Sequence, residues 1–363
     1  MIDTSLFKGT DFAGAAHDLL KLVRCDMWND DGGFGKENLT TNAKAFLWPY
    51  GGHAEAVAAQ AHYYNDCDMA KQQYLDTLEG IKPYMVCRSD GYLAYAAANG
   101  GSGDVYYDDN AWLVIIYLDA YKFFGDKKWL DLAVRTCDFC YSSWDDKQGG
   151  GLYWMEGDFR GKNTCINAPT AKVSAQLYKE TKDEKHLEWA KKIYAWTKEK
   201  LMDKEDFLYF DNIGAESGKV DETKYSYNTG CMIGAAAHLY DITKDEQYLE
   251  DAKNSANSAL NGGLGEMQDN GYFRFKKNMP WFNSWLLDGM LTLYEFDNND
   301  DYVLSFASAI KFALSCKTAA GYIPSNWAQG EFPDKAVNIL DQSGTARVMY
   351  DIALWAKKYG KEI

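Results

Sequence analysis

The sequence predicts an all-α protein, an (α/α)6 barrel (six-hairpin toroid), in which residues 1–363 form a single domain. Three observations lead to this prediction. A helical pattern repeats along the chain, the two helices of each repeat differ in their apolar character, and long connections alternate with short ones. The third observation also indicates which face of the barrel carries a functional site.

The repeat is a helix that ends at a short acidic or polar turn and is followed at once by another helix. Copies lie at residues 117–126, 177–183 and 239–245, and an aromatic residue marks the same place in each copy. The markers are separated by 57, 57, 62, 54 and 61 residues in the order Tyr64, Tyr121, Tyr178, Tyr240, Tyr294 and Trp355. Six similar units indicate six helical hairpins.

One helix of each unit is apolar almost all round, with Ala, Leu, Ile and aromatic residues at i, i+3 and i+4 spacing. A helix of this kind is buried, so these six should form the inner ring of the barrel. The predicted inner helices are residues 50–65, 107–124, 168–181, 228–242, 281–296 and 342–358.

The other helix of each unit is amphipathic, with Lys and Glu residues along one face. Such a helix covers a core on one side and meets water on the other, so these six should form the outer ring. The predicted outer helices are residues 10–27, 67–86, 127–142, 184–201, 245–260 and 299–315.

The connections from each outer helix to the next inner helix are long, about 20 residues each, whereas the opposite turns have only a few residues. Long loops in a compact domain are usually functional, and these all lie at the N-terminal ends of inner helices. Most share a glycine followed by an apolar or aromatic residue, as in Gly33-Phe34 and Gly321-Tyr322, where short strands are expected. The loops are residues 28–49, 87–106, 143–167, 202–227, 261–280 and 316–341.

Composition limits the class of partner. The formal net charge of -15 argues against nucleic acid and anionic membranes, which select basic surfaces. With 12 Trp, 26 Tyr and 17 Phe, the chain has aromatic rings suited to stacking on sugars, although most should simply fill the core. No signal peptide or membrane-spanning run is visible, and the 8 cysteines lack regular spacing. We expect a monomer in the cytoplasm, or a secreted protein if a leader segment has been removed.

Two aspartates, Asp108 and Asp109, stand side by side where the second inner helix begins. A helix N-terminus favours one ionised carboxylate, and that charge raises the pKa of the neighbouring acid. One ionised and one protonated carboxyl group form the pair that cleaves glycosidic bonds. Neighbouring Cβ atoms permit the ~5–5.5 Å carboxyl separation of a retaining glycosidase rather than the ~6.5–9.5 Å of an inverting one. The sequence therefore indicates a catalytic pair with undecided roles, and helix capping is the alternative.

Neutral amides, hydroxyl groups and aromatic rings gather at the loop-rich face around this pair. They suit a neutral polyhydroxylated ligand, because a phosphate would need basic residues and a metal would need a His, Asp and Glu cluster. We therefore expect a neutral α-linked oligo- or polysaccharide as substrate, with no cofactor and no metal. For each polar residue, capping of its helix remains the alternative. The predicted substrate-binding residues are Trp48, Tyr107, Asn110, Trp154, Asn163, Tyr227, Asn228, Trp281, Asn283 and Gln342.

An ordered set of short motifs resembles glycoside hydrolase family 76 over most of the chain. The motifs are YDDNAW at 107–112, WD at 144–145, GGGLYW at 149–154, KN at 162–163 and YNTG at 227–230. Characterised members of the family are endo-α-1,6-mannanases, and fungal cell-wall relatives are thought to act as transglycosidases. The resemblance implies an (α/α)6 barrel with Asp108 as nucleophile, Asp109 as general acid/base and α-1,6-linked mannose as substrate. The missing secretion signal departs from the family and leaves an imported oligosaccharide or another α-mannoside open as substrate.

Three other functions remain open. A sugar epimerase on a similar toroid would use histidines, and His53 is the candidate near the start of an inner helix. An unsaturated-uronide hydrolase would need basic residues, for which Lys162, Arg274 and Lys276 are candidates. A non-catalytic carbohydrate-binding toroid would keep the aromatic residues and would have no need of the aspartate pair.

Overall fold

The computed structural model of the chain describes residues 2, 4–29, 34–277, 279–330 and 337–363. These residues form twelve α-helices, and each corresponds to one of the predicted helices. In chain order they are α1 (Phe12–Met27), α2 (Leu47–Tyr63), α3 (Asp68–Glu79), α4 (Tyr107–Phe124), α5 (Lys127–Tyr141), α6 (Thr164–Thr181), α7 (Glu184–Leu201), α8 (Ser226–Thr243), α9 (Glu246–Ser258), α10 (Pro280–Asp297), α11 (Asp301–Ser315) and α12 (Ile339–Tyr359). Gly33 of the Gly33-Phe34 pair and part of the predicted loop 316–341 lie outside the described residues. Within the described ranges, no helix combines the length and apolar character needed to cross a membrane.

Helix ends differ from the predicted ends where polar residues and proline obscure the pattern. Helix α6 begins at Thr164 rather than at residue 168, because Pro169 inside it removes a single backbone hydrogen bond and does not stop the helix. Helix α3 ends at Glu79 rather than at residue 86, because Gly80 and Pro83 follow. The inner helices therefore reach further into the polar segments of the loop-rich face than the apolar pattern alone indicated.

Three of the short turns between paired helices share one chemical design. The helix ends at a residue with left-handed backbone, and an aspartate follows whose side chain caps the next helix. At one such turn Lys182 has φ 58°, and the Asp183 carboxylate accepts from the backbone N–H of Lys185 at 3.0 Å. The same arrangement recurs at Gly125-Asp126 and Lys244-Asp245.

The helices are grouped into two compact units. The second unit consists of Tyr84–Leu264 and Asp288–Asn298. In it the inner helices α4, α6 and α8 pack side by side, and each packs against the outer helix that follows it in the chain. A Cβ atom on Gly289 would lie 2.0 Å from the carbonyl oxygen of Gly230, so the close approach of α8 and the C-terminal half of α10 requires glycine.

The first unit comprises Met1–Pro83, Gly265–Leu287 and Asn299–Ile363. Here α12 packs on α1, α2 and α11, and α3 packs on α2. A buried carboxylate links three of its helices, because Glu55 Oε2 accepts from Arg347 Nη1 at 2.7 Å and from Trp281 Nε1 at 2.9 Å. The single-domain organisation of residues 1–363 stays a prediction.

Short antiparallel strands lie in several of the long connections, as at Phe34 and Phe273. At Gly321-Tyr322, within the described residues, no strand forms where one was expected, because that segment folds into a turn in which the N–H of Thr318 donates to the carbonyl of Tyr322. The bounds of the strands are β1 (Trp28–Asn29), β2 (Phe34–Gly35), β3 (Gly161–Asn163), β4 (Phe210–Gly214), β5 (Val220–Lys224), β6 (Gly265–Met267) and β7 (Phe273–Phe275). The largest of the described sheets has the order β3-β4-β5, with Lys162 opposite Ile213. This sheet belongs to the second unit and leads directly into α6 and α8.

Candidate active site

The aspartate pair lies in the first turn of α4, where Asp108 and Asp109 are the second and third residues. Asp108 accepts hydrogen bonds at both carboxylate oxygens. Oδ1 accepts from the backbone N–H of Asp109 at 3.0 Å, and Oδ2 accepts from the indole Nε1 of Trp154 at 2.9 Å. The thiol of Cys165 on α6 donates a further hydrogen bond to this carboxylate. Within the described residues, no side-chain or backbone donor bonds to the carboxyl group of Asp109.

The two carboxyl groups therefore differ in protonation. Burial raises the pKa of Asp108 to about 6, and the hydrogen bonds from Cys165 and Trp154 oppose that rise. Burial also raises the pKa of Asp109 well above its usual range, and the negative charge of Asp108 raises it further. Near neutral pH the arrangement favours an ionised Asp108 beside a protonated Asp109.

The wall of the site next to Asp108 is built by α6, α8 and the loop after α5. Burial and the charge of Asp108 raise the pKa of the Cys165 thiol, so the thiol keeps the proton that it donates. Burial raises the pKa of the Tyr227 phenol, and the nearby carboxylates of Asp211 and Asp108 raise it further. The ring of Tyr106 lies 4.9 Å from the Trp154 ring, and 39% of the Trp154 surface is exposed. Asp108 thus borders an open aromatic surface.

Backbone pairing fixes where Trp154 lies. The N–H of Tyr107 donates to the carbonyl of Trp154 at 2.8 Å, and the N–H of Glu156 donates to the carbonyl of Val105 at 2.9 Å. The strand-like segment around Trp154 therefore runs beside the residues that lead into the aspartate pair. A loop 46 residues further along the chain delivers the indole to Asp108 in this way.

Lys162 holds the same loop from the inside. Its ammonium group is buried and donates to four oxygen atoms: Oδ1 and the carbonyl of Asp145, and the carbonyls of Lys147 and Gly150. The Asp145 carboxylate neutralises the positive charge of Lys162, and the three carbonyl groups solvate it in place of water. Lys162 was a candidate for binding a uronate substrate, but its ammonium group bonds to the loop instead.

Two predicted substrate-binding amides, and a third at the same position of its helix, instead fasten loops to helices. Asn110, the fourth residue of α4, accepts from the N–H of Tyr95 at 2.8 Å and donates to its carbonyl at 2.9 Å. Gln342, the fourth residue of α12, bonds to the N–H and carbonyl of Ile323 at 3.1 and 2.8 Å. Asn167, the fourth residue of α6, bonds to Leu152 in the same way. We call these three side chains the loop clamps, and they correct the expectation that Asn110 and Gln342 face a ligand.

Three of the other predicted residues in the second unit are buried or partly buried. Tyr107 stacks on Phe139 at 4.7 Å, so its ring packs beneath the site. Asn163 is half-buried and precedes α6 without capping it through its side chain. Asn228, the third residue of α8, is fully buried, and neither polar atom of its amide has a partner within the described residues.

The remaining predicted residues, Trp48, Trp281 and Asn283, belong to the first unit. Trp48 is partly exposed, and its ring lies 5.5 Å from Trp281 and 6.0 Å from Phe282. Trp281 is 2% exposed and donates to Glu55, so it supports Trp48 rather than facing a ligand itself. Asn283 is buried at the fourth position of α10, which is the position of the loop clamps in other helices.

The alternatives find little support in the site. His53 is buried, its Nδ1 lies 3.0 Å from the Ser343 hydroxyl, and burial lowers its pKa to about 4. A histidine that stays neutral and enclosed is poorly suited to acid/base exchange with a substrate. Among the described residues, no group of three or more His, Cys, Asp and Glu side chains could hold a metal ion.

Sequence reasoning missed Cys165, Asp211 and Tyr106. Three inner helices place a residue of the site at their second position: Asp108 in α4, Cys165 in α6 and Tyr227 in α8. Comparing this position between the helices could have indicated Cys165. Asp211 lies in β4 and Tyr106 immediately before α4, so both depend on loop conformation.

Comparison with known proteins assigns this arrangement to a family. The sequence profile of glycosyl hydrolase family 76 matches residues 15–349. Mannan endo-1,6-alpha-mannosidase DCW1 of Saccharomyces cerevisiae is 27% identical over 144 residues, or 37% of this chain. The chain spans only 32% of the length of that relative, and 31% and 60% of two other curated relatives.

Solved structures extend the likeness to almost the whole chain. A family 76 mannosidase from Bacteroides thetaiotaomicron has a TM-score of 0.89 at 23% identity, covering 96% of this chain and 99% of its own. An inactive alpha-1,6-mannanase variant from Salegentibacter, in complex with alpha-1,6-mannotriose, has a TM-score of 0.78 at 25% identity and covers 95% and 99%. This likeness confirms the predicted all-α (α/α)6 barrel. The chain belongs to glycosyl hydrolase family 76.

Proposed function

We propose that the protein is a retaining glycoside hydrolase that cleaves α-1,6-mannosidic linkages within a chain, with Asp108 as nucleophile and Asp109 as general acid/base. The observation that carries this proposal is the unequal hydrogen bonding of the pair. Asp108 receives donors from Trp154, Cys165 and its own helix, whereas Asp109 receives none within the described residues. A nucleophile must be ionised and a general acid must be protonated, and this difference favours that division.

Relatives support the substrate class. The Salegentibacter variant described above is an alpha-1,6-mannanase inactivated by asparagine in place of two adjacent aspartates, and it binds alpha-1,6-mannotriose. Asp108 and Asp109 are likewise adjacent. Several curated relatives are named mannan endo-1,6-alpha-mannosidases. An α-1,6-linked mannose chain is therefore the substrate that we propose.

In the first step Asp108 attacks the anomeric carbon of the bound mannose residue. The bond from that carbon to the glycosidic oxygen breaks as Asp109 transfers its proton to the departing oxygen. The products of this step are a shortened sugar with a free hydroxyl group and a mannosyl ester on Asp108. Donors on both Asp108 oxygens orient the carboxylate for attack before substrate arrives.

In the second step Asp109, now ionised, accepts a proton from water as the water attacks the anomeric carbon. The ester bond to Asp108 breaks and the carboxylate returns to its three donors. Two inversions at the same carbon give a product with the original α configuration. The exposed ring of Trp154, next to Tyr106, provides an apolar face on which a sugar ring can stack beside the reacting carbon.

The first experiment is incubation with α-1,6-manno-oligosaccharides of increasing length, followed by NMR of the products. We expect the α-anomer of the new reducing end to appear first, before mutarotation. Internal cleavage of the longer chains would mark endo action. Initial release of the β-anomer, or no cleavage of any α-1,6-linked chain, would contradict the proposal.

A second experiment assigns the two roles with azide and a mannosyl donor that carries a good leaving group. In Asp109→Ala the mannosyl ester still forms, and azide should displace Asp108 to give α-mannosyl azide. In Asp108→Ala azide should replace the missing nucleophile and give β-mannosyl azide. The opposite pairing of variants and products would exchange the roles of the two aspartates.

A further inference from the structure

We propose that Lys162 is a positioning residue for the nucleophile, because its buried ammonium group holds the segment 145–153 in the conformation that aims Trp154 at Asp108. This inference rests on the proposed role of Asp108. It assigns to Lys162 the function that a bound cation has in other loops: a single positive charge gathers oxygen atoms from several residues and fixes the backbone between them.

The environment of the ammonium group resembles a cation site. Nζ lies 3.2 Å from the Asp145 carbonyl, 2.5 Å from Asp145 Oδ1, 2.8 Å from the Lys147 carbonyl and 2.5 Å from the Gly150 carbonyl. The side chain is fully buried. Aromatic rings close the remaining sides, with Tyr153 at 4.9 Å and Trp196 at 6.0 Å. An ammonium group has only three N–H donors, so some of these four oxygens share a donor or alternate.

The loop depends on this charge because it is packed too tightly to turn its carbonyl groups towards water. A Cβ atom on Gly150 would lie 2.2 Å from the Trp144 ring, and one on Gly151 would lie 2.5 Å from the Trp196 ring. The Gly150 carbonyl, enclosed by these rings, takes its donor from Lys162. Removal of the ammonium group would leave carbonyl oxygens without donors, and the loop would have to move to reach water.

The link from Lys162 to Asp108 passes through Tyr153. The Tyr153 hydroxyl donates to Asp145 Oδ2 at 2.7 Å, while the other oxygen of the same carboxylate accepts from Lys162. Tyr153 precedes Trp154 directly, and Trp154 Nε1 donates to Asp108 at 2.9 Å. A shift of the segment 145–153 would therefore move the indole relative to the carboxylate that it bonds.

The first test follows the Trp154 indole N–H by NMR in protein labelled with ¹⁵N at tryptophan side chains, with Trp154→Phe used to assign the signal. In the wild type this signal should move with pH as Asp108 ionises. In Lys162→Met we expect the signal to shift and its response to pH to weaken. Lys172→Met is the matched control, because Lys172 on α6 is also buried and paired with a carboxylate, that of Asp288, away from the loop that Lys162 of β3 holds. An unchanged Trp154 signal in Lys162→Met, or an equal change in Lys172→Met, would overturn the proposal.

The second test uses activity on the α-1,6-manno-oligosaccharide. We expect Lys162→Met to lower kcat/KM at pH 6 about fivefold and to move its acidic limb upward by about one pH unit, as Trp154→Phe should also do. In the Trp154→Phe background, Lys162→Met should not move the limb further. A separate and equal shift in that background would show that Lys162 does not act through Trp154.

Chemical rescue provides a third test, with Lys162→Ala and added propylammonium, which replaces the deleted carbons and the charge. We expect propylammonium to restore the Trp154 signal and activity, whereas 1-propanol at the same concentration should not. Rescue by both compounds would overturn the proposal, because it would show that Lys162 acts by filling space and not through its charge. If the wild type cleaves no α-mannoside, the proposed function fails, and the NMR signal still decides whether Lys162 positions Trp154.

Discussion

Replacing Trp154 with phenylalanine tests the electrostatic basis of the site. The change keeps an aromatic ring next to Tyr106 and removes the Nε1–H donor that lies 2.9 Å from Asp108. A hydrogen bond to a charged group is worth ~1.5–3 kcal/mol, and the lower end applies here because Trp154 is partly exposed and water can substitute. That loss corresponds to a rise of about one unit in the pKa of Asp108.

The consequence is largest at mildly acidic pH. The wild-type pKa of Asp108 is about 6, so about half of the molecules carry the ionised nucleophile at that pH. With a pKa of about 7, only about a tenth would do so, and kcat/KM at pH 6 should fall about fivefold. The loss should deepen below that pH and fade at about pH 8, where Asp108 is ionised in both proteins.

The assay is the pH dependence of kcat/KM on an α-1,6-manno-oligosaccharide. Tyr106→Phe is the control, because it keeps the ring beside Trp154 and removes only a hydroxyl group that bonds Asp104 at 3.3 Å. We expect the acidic limb of the control to match that of the wild type. An acidic limb that stays in place or moves downward in Trp154→Phe, in a variant that is folded, would refute the reasoning.

Three further predictions concern the same unit. Asp108→Asn should raise the free energy of unfolding by about 3 kcal/mol at about pH 7. The pKa of Asp108 is raised from 3.8 to about 6, so its ionisation destabilises the native state as pH rises through that range, by about 1.4 kcal/mol per unit. Urea unfolding should show the gain disappear near pH 4. Cys165→Ala should move the acidic limb of kcat/KM upward by about half a pH unit, and Cys165→Ser, which keeps a donor, should stay close to the wild type. Asn110→Ala should lower the free energy of unfolding by about 3 kcal/mol, because it leaves the buried N–H and carbonyl of Tyr95 without partners. Asn228→Ala should change the free energy of unfolding by less than about 1 kcal/mol, because the Asn228 amide has no partner within the described residues. Equal losses in the last pair would mean that the clamp contributes no more than any buried amide.

Much of the fold was predictable because the apolar pattern of an inner helix persists through all of its turns. The pattern failed at helix starts, as in α6, where Thr164 to Asn167 resemble a loop although they are helical. There the helix is stabilised by the loop clamp Asn167 and by packing against neighbouring helices. The apolar pattern of one sequence does not show such tertiary contacts.

The candidate site was predictable only in part. Asp108 and Asp109 were visible because helix starts concentrate charge in a recognisable way, and Trp154 followed from a motif. The hydrogen bond between Trp154 and Asp108 was not visible, since it depends on how a loop of the next repeat folds back. The prediction for Asn110 and Gln342 was wrong. An amide at a helix start can bond either to a ligand or to a loop, and the sequence does not show which of the two it contacts.

The loop clamps carry a consequence for how such a protein changes over evolutionary time. Asn110 and Asn167 each hold a residue only 15 positions earlier, and Gln342 holds one 19 positions earlier. Each of these loops is thus fastened to the helix that follows it, in addition to its pairing with a neighbouring loop. Insertions and substitutions at the tip of a loop can accumulate while the clamp keeps the base of that loop in place. Relatives can therefore diverge in the sugars they accept, one loop at a time, while the helices beneath stay almost unchanged.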